Sequence, residues 1–456
     1  MTMNILVING SPKGKNSITL QTSLYLSKKY PHHTFNVLDA GQKIRSVEKD
    51  MLSENSKTLE FIRKADLIVF SYPVYTFLAP SQLHKFIEVL KSTGEDLSGK
   101  FVTQITTSKH FYDITAHSYI EENCVDMGMK YIRGLSADMD DLLNEKGRED
   151  AEKFFRYVRF CMKNDMYENK NKTAVKSGAA SLFKATVPEE ALKFKDGDVV
   201  IVADLPEGDS ELRTMIDRFR SSLPLRSRVI NIREYPFSGG CLGCFNCAVS
   251  GKCIYKDGFD EFLRTNIQKS QAFVYAFEIK DHSMGSLFKM FDDRQFCNGH
   301  RTVTKGTPVG YIVSGHLSEE ENLRTVMKAR SQVGGNFLCG IATNEKDPDM
   351  AIDDLAKTVC YAVNHKHTEP ANFYGVGGMK IFRDLIYLMQ GMMKADHKFY
   401  KKNGEYDFPQ KQKGTLIKMY LVGALLSSPK IKEKMGNKMT EGMIAPYKKV
   451  IDGVDK

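Results

Sequence analysis

The chain has no tryptophan, so nothing can be read from indole side chains. It also lacks any uncharged apolar run long enough to cross a bilayer. The longest, Met419–Leu426 (MYLVGALL), falls far short of the roughly 20 residues a spanning helix needs. No basic stretch precedes the first apolar segment, so no secretory leader is expected and a cytoplasmic protein is. Five of the nine cysteines (Cys124, Cys161, Cys297, Cys339 and Cys360) are scattered, which argues against a disulfide framework and for reduced thiols. A dinucleotide fingerprint is missing too, which excludes a resident nicotinamide nucleotide held in the usual glycine-rich turn. What remains is 456 residues of ordinary globular composition, too many for one core, so two or three domains are expected.

The net charge of +9 is unevenly spread. From Ala371 to the end there are 16 Lys/Arg against 8 Asp/Glu, a net of +8, and the first 370 residues are nearly neutral. Such a tail suits an acidic partner, an anionic surface, or simply water. No nucleic-acid partner is expected.

The remaining four cysteines carry the strongest signal. Cys241, Cys244, Cys247 and Cys253 are spaced C-x2-C-x2-C-x5-C inside the glycine-rich stretch GGCLGCFNCAVSGKC. Thiolates this close converge on one point, which suits a cubane 4Fe-4S cluster better than two strained local disulfides. Zinc accepts four thiolates equally well, and structural thiols are a third reading.

Around this loop the chain reads as alternating strands and helices. Strands are expected at Asn4–Asn9, Thr34–Leu38, Asp66–Phe70, Phe101–Ile105 and Lys130–Gly134. Helices are expected at Ser17–Lys28, Lys57–Lys64, Ser81–Lys91, Ala116–Met127 and about Glu149–Cys161. The strands are continuous apolar runs, as in a parallel sheet covered on both faces. This is an α/β, doubly wound sheet of flavodoxin type. After a poorly periodic linker at 163–196 the pattern restarts, with strands at Asp198–Ala203, Arg228–Glu234, Ala272–Phe277 and Val309–Ser314. Helices are read there at Ser210–Ser222, Phe259–Lys269, Glu319–Val333 and Met350–Val363. Placing Pro12 over Pro206 and Leu83 over Leu287 relates the halves as a degenerate tandem duplication. The expected domains are residues 1–162, a linker 163–196, a second α/β domain 197–366 with the cysteine loop, and a basic, mainly helical region 367–456.

The first strand runs into Gly10-Ser11-Pro12-Lys13-Gly14-Lys15-Asn16-Ser17-Ile18-Thr19 and then a helix. A tight turn at the carboxyl end of a parallel strand aims backbone N–H groups at the helix N-terminus and forms an anion site. Hydroxyls and the Lys13 ammonium would complete a phosphate cradle. Ser71-Tyr72-Pro73-Val74-Tyr75-Thr76 ends the third strand and suits an aromatic ring system, while Thr106-Thr107-Ser108 ends the fourth. Three strand ends meeting at one crevice make a mononucleotide site.

With these motifs the first copy resembles the NAD(P)H-dependent FMN reductase family, through GSPKGKNSIT and SYPVYTFLAPSQLHKFIE. The second copy resembles the iron–sulfur flavoprotein branch of that family, through CLGCFNCAVSGKC followed by KDGFDEF. The resemblance covers about residues 3–365. It implies that Ser11, Lys13, Ser17 and Thr19, with Ile18 among them, hold an FMN phosphate. Pro73, Val74, Tyr75 and Thr76 would lie along the isoalloxazine, with Thr106, Thr107 and Ser108 at its far edge. It further implies an FMN oxidoreductase using NAD(P)H as transient donor. The acceptor would be a quinone, nitro compound, enone or flavin, with an iron–sulfur cluster passing electrons to or from FMN. The alternative is an electron-transfer protein exchanging electrons with ferredoxin-like partners; self-association is left open.

The second copy departs from the flavin pattern. It carries Asp204-Leu205-Pro206-Glu207 and Asp209 where the first has Gly-Ser-Pro-Lys, and Phe277-Glu278-Ile279 where the first has Pro-Val-Tyr. Carboxylates around a phosphate nest repel a dianion by ~1 kcal/mol or more each. One flavin per chain is therefore expected. His110, Tyr112 and His117 are weaker candidates for proton donors, and no catalytic residue is assigned. Asp292-Asp293-Arg294 reads as a solvated helix end. In the tail, Met379–Met393 reads as a helix with Phe382, Leu385, Ile386, Met389, Met392 and Met393 on one face. Packing or a lid role is preferred for it over membrane contact, which is not expected, and Gly375–Gly378 before it would make a hinge.

Overall fold

The computed structural model describes residues 2–170, 181–189, 195–409 and 412–426. The first half runs β1 (Asn4–Asn9), α1 (Ile18–Lys29), β2 (Thr34–Leu38), α2 (Ile44–Met51), α3 (Lys57–Lys64), β3 (Leu67–Pro73), α4 (Ser81–Ser92), β4 (Phe101–Ser108), α5 (Asp113–Asp126), β5 (Lys130–Tyr131), β6 (Leu135–Asp138) and α6 (Glu145–Lys163). The second runs β7 (Lys195–Ala203), α7 (Glu211–Ser222), β8 (Leu225–Asn231), α8 (Asn246–Ser250), α9 (Phe259–Phe262), β9 (Ala272–Glu278), α10 (Gly285–Arg294), β10 (Val309–Ser314), α11 (Glu321–Gly334), β11 (Leu338–Thr343) and α12 (Pro348–His365). Helices α13 (Phe373–Leu388), α14 (Lys394–Lys402) and α15 (Lys413–Leu426) follow.

Both sheets are parallel and share one topology. The first is ordered β2-β1-β3-β4-β5, with β6 also on β4; the second is β8-β7-β9-β10-β11. The flavodoxin-like, doubly wound order thus occurs twice in the chain. The apolar strand runs explain this: Ile5, Leu6, Val7 and Ile8 of β1, and Val199–Ala203 of β7, are buried on both faces. The turn after the third strand of each copy is also shared. Thr76 and Phe77 have φ of 39° and 70°, and Asp281 and His282 have 50° and 60°. The pair Tyr75/Leu78 closes the first turn and Lys280/Ser283 the second.

The two sheets belong to one unit, Met1–Phe399, and Tyr400–Lys456 forms another. Within the first unit the copies meet through equivalent helices, α4 against α10. Phe86, Ile87 and Leu90 of α4 join Phe288 and Phe291 of α10, with Met284 at its N-cap, in a single buried cluster. Using the same element from both sides is the self-complementary solution of a two-fold dimer, here within one chain.

Several details differ from the sequence expectation. Strands β3 and β4 run on to Pro73 and Ser108, carrying the strand ends further into the crevice. The edge strand breaks into β5 and β6, and Leu338–Thr343 adds a fifth strand to the second sheet. Most of β11 is half-buried and it contains Gly340, which weakens its sequence signal. Helix α2, which no side chain caps, is an addition to the expected helices. In the linker, residues 171–180 and 190–194 lie outside the described residues, but Ala185 is buried in the core of the second copy.

The glycine hinge is corrected. Gly375–Gly378 lies inside α13, which packs on α11. A Cβ at Gly375 would come 2.7 Å from the Gln332 carbonyl oxygen, and one at Gly378 2.7 Å from Val333 Cγ2. These glycines are contact points that let two helices approach closely.

Candidate active site

The crevice at the carboxyl ends of β1, β3 and β4 is built from the first copy. Asn9 stabilises the loop after β1, its Nδ2 donating to the Gly14 carbonyl (3.0 Å) and to Asp39 Oδ1 (2.9 Å). Ser17 caps α1 by accepting from the Leu20 N–H at 3.3 Å. Thr19 and Thr107 share a hydrogen bond at 2.6 Å, fixing the helix start to the end of β4. Such a loop meets an anion with its groups already placed.

Of the twelve residues assigned to the flavin, eleven line one cleft: Ser11, Lys13, Ser17, Ile18, Thr19, Pro73, Val74, Tyr75, Thr76, Thr107 and Ser108. Thr106 does not. Strand alternation turns its hydroxyl to the other face, 2.8 Å from His117 Nε2. The cleft is open to solvent and encloses ≈ 1390 Å³ of empty space, counting the part continuous with solvent.

The opposite wall comes from the second copy and contains all four cysteines of the loop. Gln82 Nε2 donates to the Cys241 carbonyl at 3.4 Å, and Arg45 donates to that of Ser238 at 3.1 Å. Gly243, at φ +59°, lies against Tyr75 so closely that a Cβ would land on the phenol oxygen. The Lys13 ammonium sits 5.5 Å from the centre of the Phe245 ring. Burial lowers the pKa of Lys13, partly offset by Cys244 and Cys241 beside it. The phosphate-side lysine and the thiols are therefore neighbours.

Arg294 anchors the loop from beneath. It is fully buried, donates to the Gly239 carbonyl at 2.8 Å and forms a two-pronged pair with Asp257. Its guanidinium lies 4.4 Å from the Tyr255 ring centre, and Tyr255 Oη donates to the Gly240 carbonyl. Burial pushes the Asp257 carboxyl up, but Arg294 and two backbone N–H groups bring it down to about 2.

The solvated helix end read at Asp292-Asp293-Arg294 is corrected: all three are buried. Asp293 accepts from Thr76 Oγ1 (2.6 Å) and from the Ser81 N–H (2.8 Å), and pairs with Lys289, itself fully buried. Lys289 also donates to the Tyr75 carbonyl (3.0 Å) and to Thr76 Oγ1 (2.6 Å). Helix α10 of the second copy thus holds the strained turn beside the crevice of the first. The neighbouring Asp292 pairs with Arg330.

The donor set fits a soft metal or cluster. Burial pushes the Cys247 thiol up to about 11 and that of Cys241 further, so both stay protonated unless a cation stabilises the thiolates. The thiols line one cleft but do not converge on one point. Among the described residues, three donors within 4.8 Å of one another occur at Glu122, His282 and Glu320, and not among the cysteines. Tetrahedral zinc requires sulfurs roughly 3.8 Å apart, from Zn–S bonds of about 2.3 Å. A cubane, in which each thiolate binds a different iron, accepts a wider spread.

Cys297 is also corrected from its scattered status, since it is buried and lines the same cleft. Sequence reasoning missed His300, Phe296 and, as cleft residues, Ile381, Phe382 and Leu385 of α13. His300 Nδ1 lies 2.9 Å from Asp396 Oδ2, and its ring 4.8 Å from that of Phe382. Only the apolar stripe containing Phe382 and Leu385 was visible beforehand. The weaker candidates sit elsewhere. His117 is half-buried, and desolvation brings its pKa down to about 4. His110 pairs with Asp113 at 2.9 Å, and Tyr112 Oη donates to the Tyr374 carbonyl at 2.7 Å.

Residues 3–141 match a family model described as a flavodoxin-like fold. An iron-sulfur flavoprotein from Clostridioides difficile (strain 630) is 24% identical over 139 residues, covering 28% of this chain and 61% of that protein. The chain thus spans less than two thirds of that relative's length. Among solved structures, an NAD(P)H:quinone oxidoreductase from Methanothermobacter marburgensis is similar at 14% identity and TM-score 0.27, covering 37% of this chain and all of its own. A general stress protein 14 from Treponema denticola, solved with FMN, is similar at 11% identity and TM-score 0.28, covering 35% of this chain and 98% of its own.

Proposed function

We propose that this chain is an FMN-dependent NAD(P)H oxidoreductase, with one FMN in the first copy and a 4Fe-4S cluster held by Cys241, Cys244, Cys247 and Cys253 of the second. One observation carries the reading: the phosphate-type loop and strand ends of the first copy and all four cysteines line a single cleft. The relative named as an iron-sulfur flavoprotein supports pairing the two cofactors. When bound, FMN supplies interconversion of two-electron and one-electron chemistry, and a cluster supplies one-electron exchange.

The chain's own residues bind, orient and shield. Ser11, Lys13 and Ser17 hold the phosphate, Lys13 also offsetting thiolate charge across the cleft. The turn at Tyr75–Thr76, fixed by Lys289 and Asp293, sets the wall for a planar ring. Phe296, Phe382 and Leu385 add apolar wall to the cleft. The second copy takes no flavin: Asp204 faces Arg233 at 2.6 Å where a phosphate would need donors. The acceptor is a flat, electron-poor molecule of the quinone, nitro or enone class, and a ferredoxin-like protein is the alternative partner.

The test is anaerobic purification with flavin, iron and sulfide counted per chain, followed by NADH or NADPH oxidation with a quinone. One flavin, about four irons and steady turnover are expected. Lys13→Glu should lose flavin and keep iron, and Cys244→Ser the reverse. Absence of flavin, or two flavins per chain, overturns the proposal. Reduction by ferredoxin but by neither nucleotide moves the chain to the electron-carrier class.

A further inference from the structure

We infer that α15 is a docking element for an anionic membrane surface, on which it lies without crossing. In the second unit, Leu416, Ile417, Met419, Tyr420, Leu421 and Val422 are all exposed, from 43% for Val422 to 80% for Tyr420. Successive helical residues turn by about 100°, so these six face every direction around the axis. A helix apolar all round belongs in a core or in lipid, not in water. Its 14 described residues span about 21 Å, short of the roughly 30 Å hydrocarbon thickness, and among the described residues no helix is long and apolar enough to cross.

Charge selects the occupant. Between residues 408 and 432 the sequence has Lys411, Lys413, Lys418, Lys430 and Lys432 and no carboxylate. From Tyr400 onward there are twelve lysines against six carboxylates, which accounts for +6 of the chain's +9. Lysines flanking an apolar helix can extend their stems along it and leave the ammonium groups among anionic headgroups. A second copy of this chain would bring the same positive charge to the contact and repel it. The helix read at Met379–Met393 for packing or a lid is α13, which packs on α11, so the apolar segment proposed here for lipid lies further along the chain.

The inference stands apart from the proposed redox function, because the assay follows the protein and not its turnover. The full holoprotein is sedimented with vesicles of phosphatidylcholine alone or mixed with phosphatidylglycerol, at low and high salt. Binding is expected only to the mixed vesicles, weakening with salt. Lys413→Gln and Lys418→Gln should each weaken it about fivefold. Leu416→Ser with Leu421→Ser should abolish it while leaving the melting temperature unchanged, because those side chains are exposed. No partition onto anionic vesicles, or equal partition onto neutral ones, overturns the inference. So does a Leu416/Leu421 variant that turns a dimer into a monomer in analytical ultracentrifugation while vesicle binding persists.

Discussion

Asp293→Asn tests whether the second copy holds the flavin-side turn of the first. The change keeps the shape of the side chain and removes its charge. Lys289, fully buried, would keep its hydrogen bonds to the Tyr75 carbonyl and Thr76 Oγ1 but lose its nearest counter-charge. The next carboxylate, Asp292, lies 4.0 Å away and is shared with Arg330. Breaking a buried pair from one side typically costs about 3–5 kcal/mol, and residual attraction to Asp292 places this case near 3 kcal/mol. That is a large part of the 5–15 kcal/mol that keeps a typical domain folded. Burial raises the Asp293 carboxyl even with Lys289 beside it, and replacing a buried ion pair with apolar residues of similar volume is often neutral or stabilising. Lys289→Met combined with Asp293→Leu should therefore recover most of the loss. Urea unfolding followed by far-UV circular dichroism is the assay, since the chain has no tryptophan to report. Because Thr76 loses its carboxylate acceptor, FMN affinity should fall in the Asn variant as well. A loss below about 1 kcal/mol with unchanged flavin affinity would refute the idea that this pair secures the turn.

Two further outcomes are expected. His282 lies between Asp126 (2.9 Å), on the first copy, and Glu320 (3.0 Å), with Glu122 close by. Burial pushes its imidazole down, but the two carboxylates override it and raise the pKa to about 10. A raised imidazole adds stability fully present below its unfolded pKa of about 6.5 and lost as pH climbs towards 10. Burial also holds the Glu122 carboxyl up to about 7, which adds to the same downward slope from its lower end. The melting temperature should fall across pH 6.5 to 10 by the equivalent of about 2 kcal/mol, and His282→Asn should flatten that slope. Asparagine is chosen because the residue sits at φ 60°, a conformation it tolerates. Separately, Gly243→Ala would drive a methyl into Tyr75 from a left-handed backbone position. Iron per chain should drop, with about 1–3 kcal/mol of stability lost, and a variant of normal iron content would show that the loop has slack.

Much of the fold was legible because it rests on local signals. Continuous apolar strands such as Asn4–Asn9 and Asp198–Ala203 can only be buried on both faces, and alternation with helices makes the sheet parallel. The cradle from Ser11 to Thr19 was legible for the same reason, since turn and helix start are neighbours in sequence. Weak elements were not: β11 combines partial exposure with an internal glycine, and α2 has no capping side chain.

The two sheets, the loop after β1 and the thiol spacing are readable from local residue order, because each depends on residues a few positions apart. Long-range packing is what brings the cysteine loop across the crevice of the other copy, buries Asp292-Asp293-Arg294, and adds Cys297, His300 and Phe382 to the cleft. Those facts depend on α4 packing against α10, a contact between helices some 200 residues apart. Periodicity marks an apolar helix face for burial, but the partner that covers it is set by the shape and charge of distant surfaces.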